Sequence, residues 1–395
     1  MSVAATVALP KPGAIRLEVL PPLSLYVHMP WCVRKCPYCD FNSHEKKGDL
    51  PEDAYCAALV ADLEHALPWV WGRRIHSIFF GGGTPSLFSA RSIDRLLSDI
   101  RARIPVPADA EITLEANPGT FEAQKFRDFR LAGINRLSVG IQSFNDTHLK
   151  ALGRIHDASE ARRAIGIAQV EYDNPNHDLM YGRPGQAIDE ARADIAEGIR
   201  FGTAHLSAYQ LTLEPNTVFY SHPPKLPGHD LAADMQESAE GLLTQAGFEH
   251  YETSAFARPG RRSRHNLNYW QFGDYLGLGA GAHGKISFPD RIERHARAKQ
   301  PREYMAMAAK GESIVEHRTV ANADLPFEFM LNALRLVDGV PVALLRERTG
   351  LELSAIEAAL VKGEALGLLE RDWQILRPSA KGQRFLNELL ALFLP

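Results

Sequence analysis

Tyr26–His44, with the sequence YVHMPWCVRKCPYCDFNSH, holds three of the four cysteines in the 395-residue chain. Cys32, Cys36 and Cys39 form a C-x3-C-x2-C pattern. A cube of four irons and four sulfides that only transfers electrons needs one thiolate on each iron, so three thiolates leave one iron free to accept another ligand. The pattern therefore predicts a 4Fe-4S cluster with an open iron.

A structural zinc site is the alternative interpretation of the same residues. His28 or His44 would then be the fourth ligand. Structural zinc sites usually combine two separated pairs of ligands, whereas these cysteines lie in one run. The spacing thus favours the iron-sulfur cluster over zinc.

The composition limits the class of protein. With 45% hydrophobic residues, the chain can bury a large core, which predicts one large domain and a smaller one. A net charge of −4 offers no basic surface for nucleic acid, despite local arginine clusters. Four cysteines, three of them clustered, argue against a disulfide framework and fit the reducing cytoplasm. Cys56 is predicted to be a small buried residue on a helix.

The first residues predict a loose lead-in and not a signal peptide. Residues 1–13 lack a cationic opening and a long apolar run, and Pro21 and Pro22 interrupt the segment after them. No run of about eighteen apolar residues occurs in the sequence, so no membrane span is predicted. Peripheral contact with a membrane is left open.

Short β-type runs alternate with amphipathic helical segments, which predicts βα units around a parallel sheet. The predicted strands are Leu25–His28, Ser77–Phe80, Glu111–Glu115, Arg136–Gly140, Asn176–Met180 and His205–Leu211. The predicted helices are Ala54–Leu67, Ile93–Arg103, Gln124–Leu131, Ser159–Ala168, Ile188–Ile199 and Ala232–Ala246. Because the chemistry of parallel barrels gathers at the carboxyl ends of the strands, motifs that come directly after these strands should converge.

The pattern Y-x-H-x-P-W-C-x3-C-P-Y-C-D-F resembles the radical S-adenosylmethionine (SAM) superfamily, in its branch around the oxygen-independent coproporphyrinogen III oxidase. The resemblance implies that the amino and carboxylate groups of SAM chelate the open iron. An electron from the cluster would then split the sulfonium into methionine and a 5′-deoxyadenosyl radical. The implied fold is α/β, a partial six-stranded parallel (β/α)6 barrel with the cysteine loop after its first strand.

A glycine-rich segment, Gly81-Gly82-Gly83-Thr84, comes after the second predicted strand. Glycines let a backbone approach a ligand without a Cβ clash, although a tight turn alone would also explain them. At this distance from the cysteine loop, the segment resembles the superfamily's glycine-rich segment at the methionine end of SAM. The resemblance implies that Gly82, Gly83 and Thr84 line that site.

Polar side chains lie at the ends of the later strands. Glu115 ends a strand just before a Pro-Gly break, where a carboxylate is either a solvated loop acid or an acceptor for a ligand's hydroxyls or amine. Arg154 offers a planar fork suited to a carboxylate, although an arginine is usually at the surface. The resemblance implies that these two residues and four others contact SAM, the full set being Tyr26, Tyr38, Glu115, Gln142, Arg154 and Asp178.

The second half of the chain contains His265–Trp270, with the sequence HNLNYW. A neutral imidazole can bind haem iron and aromatic neighbours suit a flat macrocycle, but a lone histidine in a loop is more often structural. The motif H-N-x-x-Y-W resembles the one that marks haem chaperones of the HemW type, which implies a haem role for His265. The glycine-rich run Gly277–Gly284 would bring backbone close to the adenosine or the macrocycle, and a structural role for its His283 is the alternative.

Two departures separate the chain from the oxidase. The oxidase continues its run as C-x3-C-x2-C-x-C, whereas this chain has Phe41 at the position of the fourth cysteine. The segment ahead of Tyr26 is also shorter than the one that the oxidase uses. Both departures resemble the haem chaperone, which is not expected to decarboxylate coproporphyrinogen. The alternative is that Phe41 is a tolerated substitution in a working oxidase.

A third departure concerns the fifth expected strand, where the related sequences have hydrophobic residues and this chain has Pro175. Proline cannot donate to a sheet ladder, so this strand is predicted to begin late or to be distorted. The placement of Asp178 is less secure for this reason. His177 is interpreted as an edge-facing histidine in preference to an extra polar contact.

The predicted domains are a flexible lead-in (1–20), the radical SAM partial barrel (21–250), a connecting segment with the HNxxYW motif (251–325) and a small C-terminal domain (326–395). Helical spacing at Leu344–Thr349 and Ser354–Ala365, with Gly350 between them, precedes a hairpin at Leu368–Leu376. This order suggests a winged-helix shape. Such a shape often binds DNA, but the segment is not basic enough to favour that.

The combined prediction is a cytoplasmic haem chaperone that carries a 4Fe-4S cluster and SAM in an accessory or regulatory capacity and passes haem to acceptor proteins. The resemblance further implies a homodimer and acceptors such as membrane-bound respiratory haem proteins. One competing hypothesis is a radical SAM oxygen-independent coproporphyrinogen III oxidase, which would form protoporphyrinogen IX by oxidative decarboxylation. Another is a cluster-bearing scaffold that binds no tetrapyrrole.

Overall fold

The computed structural model describes residues 15–119 and 122–395. Most of the predicted lead-in, residues 1–14, lies outside the described residues. The strands are, in chain order, β1 Leu23–Met29, β2 Trp31–Cys32, β3 His44–Glu45, β4 Ile75–Gly82, β5 Glu111–Ala116, β6 Arg136–Gln142, β7 Asn176–Tyr181, β8 His205–Gln210, β9 Glu249–Glu252, β10 Ala255–Ala257, β11 Asp274–Leu278, β12 His283–Phe288, β13 Arg291–Arg297, β14 Ile314–Thr319, β15 Val340–Pro341, β16 Leu369–Arg371 and β17 Ile375–Pro378.

The helices alternate with the strands through the first two thirds of the chain. They are α1 Glu52–Ala66, α2 Ala90–Arg103, α3 Glu122–Leu131, α4 Asp146–Ala151, α5 Ala158–Glu171, α6 Ile188–Arg200, α7 Val218–Ser221, α8 His229–Gln245, α9 Arg264–Trp270, α10 Pro301–Ala308, α11 Leu325–Ala333, α12 Ala343–Thr349, α13 Glu357–Ala365, α14 Ala380–Arg384 and α15 Leu386–Ala391. Short 3-10 turns lie at Leu67–Val70, Pro85–Leu87 and Leu353–Ala355.

The described residues form a twelve-stranded sheet in the order β14-β13-β12-β11-β1-β4-β5-β6-β7-β8-β10-β9. The six predicted parallel strands lie side by side at its centre, in the predicted succession. The prediction of six strands was nevertheless too small. β11 joins β1 in parallel, and antiparallel strands extend both edges. No apolar run marked β14, which exposes most of its sequence IVEHRT.

The pleat of β1 divides the two faces of the sheet. Leu25 and Val27 are fully buried in the main hydrophobic core, against the helices. Ser24, Tyr26 and His28 alternate with them and therefore point to the opposite side. We call this side the polar face. Its carboxyl end adjoins the cysteine loop that comes after β1.

The fifth parallel strand, β7, starts at Asn176, directly after Pro175. It pairs with β6 on one side and β8 on the other, so the proline sets the start of the strand and leaves its pairing in place. The interpretation of His177 as edge-facing was wrong, because β7 is an inner strand. The ring of His177 is fully buried and bonds to Thr203 Oγ1 at 3.0 Å.

The C-terminal residues form a second hydrophobic core around a three-stranded sheet, β15-β17-β16. The predicted hairpin and both predicted helices are present, and Gly350 ends α12 at a φ of +72°. Whether this arrangement has the winged-helix shape stays a prediction. Ile15 and Leu17 belong to the same core, each 5% exposed, so this part of the predicted lead-in is packed.

Two further predictions concern burial and membranes. Cys56 is buried on α1, as the sequence predicted. Within residues 15–119 and 122–395, no helix is both long enough and apolar enough to cross a bilayer. The strands of residues 255–319 belong to the twelve-stranded sheet, while the boundaries proposed for the domains stay a prediction.

Candidate functional site

The cysteine loop is closed by a backbone ladder between its own ends and is tied to the sheet by backbone and side-chain hydrogen bonds. β2 and β3 form a short parallel ladder in which Trp31 pairs with His44. The amide of Gly83, on the neighbouring glycine-rich segment, donates to the carbonyl of Met29 at 2.8 Å. Asn42 donates from Nδ2 to the carbonyls of residues 280 and 299, both at 2.9 Å. The loop is therefore held between β4 and the β11–β13 side of the sheet.

The three cysteines of the loop are free thiols with half-buried side chains. Burial raises the pKa of the thiols of Cys32 and Cys39. Thr84 donates from Oγ1 to the sulfur of Cys32 at 3.5 Å, and Arg154 donates from Nη1 to that of Cys36 at 3.7 Å. Donors aimed at sulfur favour the thiolate, which is the form that binds iron. The donor set thus fits an iron-sulfur cluster.

The zinc alternative fits less well. Within the part of the chain that the structure describes, no group of three or more His, Cys, Asp or Glu side chains is placed to hold one metal ion. Ligands of one zinc converge at about 2.0–2.3 Å, whereas each thiolate on a cluster binds a different iron. His28 is also engaged, since its Nε2 donates to the Asn42 carbonyl at 2.8 Å and its Nδ1 accepts from Tyr26 at 3.0 Å.

The glycine-rich segment lies directly against the cysteine loop. Gly82 has a φ of +110°, and a Cβ on it would lie 2.4 Å from the ring of His28. A Cβ on Gly83 would lie 2.6 Å from the carbonyl oxygen of Trp31. Both glycines are therefore required for close packing between two protein segments, whether or not their backbone also meets a ligand.

Two carboxyl groups point onto the polar face, Glu115 next to the end of β5 and Asp178 in the middle of β7. Burial, together with repulsion from Asp178, raises the pKa of Glu115 to about 8. Burial also raises the pKa of Asp178. Glu115 accepts from the amide of Gly82 at 3.1 Å, and Asp178 accepts from Asn176 at 2.8 Å. Two poorly compensated carboxyls favour a cationic ligand between or beside them, as an ammonium group would be.

Arg154 connects the loop after β6 to the cysteines. Its Nη2 donates to Asn117 Oδ1 at 2.6 Å, and Asn117 Nδ2 donates to Thr84 Oγ1 at 2.9 Å. Because Thr84 in turn donates to Cys32, a chain of bonds joins the guanidinium to two cysteine sulfurs. The buried Nε of Arg154 has no partner among the described residues. Sequence analysis missed Asn117, since a single amide beside Glu115 carried no pattern of its own.

Gln142 ends β6 with a φ of +70°, in the left-handed region that favours glycine. The register between β6 and β7 shifts at this point. The amide oxygen of Gln142 accepts from the hydroxyl of Tyr209 at 2.6 Å, and its carbonyl accepts from buried Arg183 at 3.2 Å. Strained residues held by several bonds gather at ligand sites. Tyr209 is a further residue that the sequence did not reveal.

The two predicted tyrosines lie on either side of the cysteines. Tyr26 points from β1 onto the polar face, where its ring lies 6.3 Å from that of Phe79. Tyr38 packs with Phe219 at 6.4 Å, beside a small apolar cluster that includes Met180. Gly82, Thr84, Glu115 and Arg154 are hydrogen-bonded to one another or to the cysteines. Tyr26 and Asp178 lie within β1 and β7 and not at their ends.

His265 lies elsewhere, and its predicted setting in a loop was wrong. It belongs to α9, whose first turn is held by the carboxylate of Glu111 through the amide of His265 at 3.0 Å. Its ring is 1% exposed, stacks on Phe79 at 4.9 Å and bonds through Nδ1 to Ser77 at 2.8 Å. Nε2 is buried without a partner in the described chain. In this arrangement no macrocycle reaches the ring, and haem ligation by His265 stays a prediction.

Comparison with known proteins agrees with this geometry. Residues 26–197 match the Radical SAM superfamily and residues 320–385 match the HemN C-terminal domain. "Heme chaperone HemW" of Escherichia coli K12 is 49% identical over 380 residues, which cover 95% of this chain and 99% of that protein. The chain belongs to the HemW family. The protein of the same name from Haemophilus influenzae is 49% identical over 384 residues, covering 95% and 98%.

This chain is also similar to a mitochondrial protein and to an enzyme of known structure. Radical S-adenosyl methionine domain-containing protein 1 of Mus musculus is 36% identical over 391 residues, covering 94% of this chain and 87% of that protein. The structure of coproporphyrinogen III oxidase (HemN) from Escherichia coli covers 95% of this chain and 90% of the enzyme, with a TM-score of 0.80 and 23% identity. At that identity the likeness establishes the fold alone. Membership of the radical SAM superfamily implies a 4Fe-4S cluster and SAM.

Proposed function

We propose that the protein binds haem and transfers it to acceptor haem proteins. The observation that carries this proposal is the 49% identity to proteins called heme chaperone HemW along 99% of the length of one of them. In this proposal the cluster and SAM have an accessory or regulatory role. Acceptors among membrane-bound respiratory haem proteins, a homodimer and a cytoplasmic location belong to the same proposal.

Phe41 supports the choice of a chaperone over a porphyrinogen oxidase. It stands where the related oxidase has a fourth cysteine, and its side chain is 58% exposed on the surface of the cysteine loop. A phenyl ring can neither ionise nor transfer a hydrogen atom as a thiol does. The oxidase alternative would therefore have to work without that group.

We assign the cofactors to the residues that converge at the carboxyl end of the parallel strands. Cys32, Cys36 and Cys39 would hold the cluster. Glu115 and Asp178 would accept from the SAM amine or ribose, and the Arg154 guanidinium would pair with a carboxylate. When bound, SAM with a reduced cluster supplies a source of a carbon radical. The remaining SAM contacts would come from Tyr26, Tyr38, Gly82, Gly83, Thr84 and Gln142, and the six parallel strands would curve as the partial barrel of the superfamily.

One anaerobic experiment tests the proposal against its alternative. The reconstituted protein is incubated with haem, an apo-acceptor, SAM and reductant, while 5′-deoxyadenosine and haem transfer are followed together. We expect haem to move to the acceptor faster than it does in the absence of the protein. Turnover of coproporphyrinogen III to protoporphyrinogen in a parallel reaction would instead establish the oxidase. Absence of both haem binding and turnover would favour the cluster-bearing scaffold.

A further inference from the structure

A large cleft lies between the edge of the twelve-stranded sheet and the C-terminal module. Its volume is about 1040 Å³, and residues of β12, β13, β14 and α11 line it. Ligand sites for small molecules generally measure 300–1,000 Å³. The cleft is separate from the loop that holds the three cysteines, none of which lines it.

The side chains that enter the cleft from β12, β13 and β14 are those on one face of the pleated sheet. Residues directly opposite each other on antiparallel strands point to the same face. His283 is opposite Ala296, which is opposite Glu316. Two residues along β13, Arg294 is opposite Arg318. The sheet thus presents an imidazole at one end of the cleft and two guanidinium groups at the other, roughly 7 Å apart along the strands.

His283 is chemically available. It is exposed, and neither of its ring nitrogens forms a hydrogen bond with the described residues. A neutral imidazole has a lone pair that can bind a metal ion. By contrast, the rings of His295 and His317, which also border the cleft, lie against Trp69 at 5.2 and 5.9 Å.

The guanidinium end carries two arginines, and the carboxylates of Glu328 and Asp324 also line the cleft. Arg294 and Arg318 share one carboxylate, Glu328, at 2.7 and 2.8 Å. Arg318 uses a single nitrogen for this contact and is 58% exposed, so it keeps free donors for a carboxylate. Glu316 lies at the other end, beside His283, and would keep the carboxylates of a ligand away from that end.

Besides Glu328, the opposite wall of the cleft presents apolar side chains. Phe327 and Leu331 of α11 line it, together with Leu394. Leu331 is 36% and Leu394 is 56% exposed. Side chains of this kind favour the binding of a flat apolar ligand, because its surface is removed from water.

We infer that this cleft is the haem site, with His283 as the iron ligand, Arg318 and Arg294 at the propionates and Phe327 and Leu331 against the macrocycle. The inference rests on the proposed function and gives it a location. The amino end of the polar face is closed to haem, since His265 and its aromatic neighbours already fill the space in front of β4. Haem therefore binds outside the site of SAM, on the C-terminal side of the molecule.

Haem titration of the full chain, followed by the Soret band, tests this site. The variants are His283→Ala and Arg318→Ala, with His76→Ala as the matched control, because His76 is an exposed histidine that lines a different and smaller cavity. We expect His283→Ala to weaken haem binding by about tenfold or more and to change the axial-ligand spectrum. Added imidazole should restore the spectrum. Arg318→Ala should weaken binding less and leave the spectrum unchanged.

The outcomes separate the inference from the proposed function. If the wild type binds no haem, the proposed function fails as well. If the wild type binds haem and His283→Ala binds it equally well with the same spectrum, the inference is wrong and the function stands. An equal loss in His76→Ala would show that haem binds exposed histidines without selection, which also overturns the inference. Thermal unfolding of each variant checks that the fold is intact.

Discussion

The two ends of the polar face hold the same kinds of polar side chain, but those at the amino end are buried and those at the carboxyl end are partly exposed. At the amino end, Ser77, Glu111 and His205 are buried, and each of them bonds to α9 or to Tyr251. At the carboxyl end, Glu115 and Arg154 are half-buried, and Arg154 retains an unused polar atom. Polar composition on a sheet face therefore does not mark a site. What distinguishes the carboxyl end is its partial exposure and its free thiols, since the amino end also keeps one unpartnered atom, Nε2 of His265.

The largest effect should come from removing a cluster ligand. We expect Cys32→Ala to abolish nearly all iron and sulfide binding, because only three thiolates are available for the cluster. Iron and acid-labile sulfide analysis after anaerobic reconstitution measures this. Cys56→Ala is the control, since this cysteine is buried on α1 and should leave the iron content unchanged. Full iron content in Cys32→Ala would mean that the loop is not the metal site.

A substitution at the amino end of the polar face should lower the free energy of unfolding and leave the cofactor content unchanged. We expect His265→Ala to lower the free energy of unfolding by roughly 2–3 kcal/mol, because a stacked, buried ring and its bond to Ser77 are lost. Urea unfolding measures the change, and exposed His222 provides a control whose alanine variant should stay within about 0.5 kcal/mol of wild type. A variant that keeps its stability but loses haem would instead support His265 as the ligand.

A smaller effect on cluster retention should come from breaking the hydrogen-bonded chain at the carboxyl end of the polar face. Asn117→Ala removes the group that joins Arg154 to Thr84. We expect about tenfold weaker retention of the cluster, as is typical when a group that orients metal ligands is lost. Iron release to a chelator measures retention. Asn174→Ala, which removes a bond to a backbone carbonyl remote from the cysteines, should release iron at the wild-type rate.

The smallest effect should be a change in the pH dependence of the unfolding temperature when Glu115 is replaced by glutamine. Glu115 has a pKa raised to about 8, so the folded protein favours its neutral form. The stability that this gives is fully present below the unfolded pKa of about 4.5 and is lost as the pH rises through 8. In the absence of SAM, the unfolding temperature of the wild type should therefore fall between pH 5 and pH 8 more than that of Glu115→Gln. If the unfolding temperatures of the two proteins changed equally with pH, the raised pKa of Glu115 would be contradicted.

The central strands, the cysteine loop and several polar residues at strand ends could be predicted from the sequence, because they depend on local patterns. The alternation of apolar strands and amphipathic helices indicated the central parallel strands, and the cysteine spacing indicated the loop. Polar residues at or after strand ends, such as Glu115 and Arg154, converged as expected.

The rest depended on contacts between residues distant in the chain. The place of His265 is set by Ser77 and Glu111, more than 150 residues earlier, and nothing in the motif itself indicates them. Asn117 and Tyr209 act through single bonds and have no repeating pattern. The outermost strand β14 escaped prediction because most of its side chains are exposed.

Ile15 and Leu17 complete a core whose other members come mostly from the last quarter of the chain, including Leu344 and Phe393. During synthesis these two residues leave the ribosome early, and their partners leave it last. The early segment must therefore wait, exposed, until the polypeptide is nearly finished. This core can close only after Leu344 and Phe393 have been synthesised and have met Ile15 and Leu17, which makes its assembly a late and checkable step in maturation.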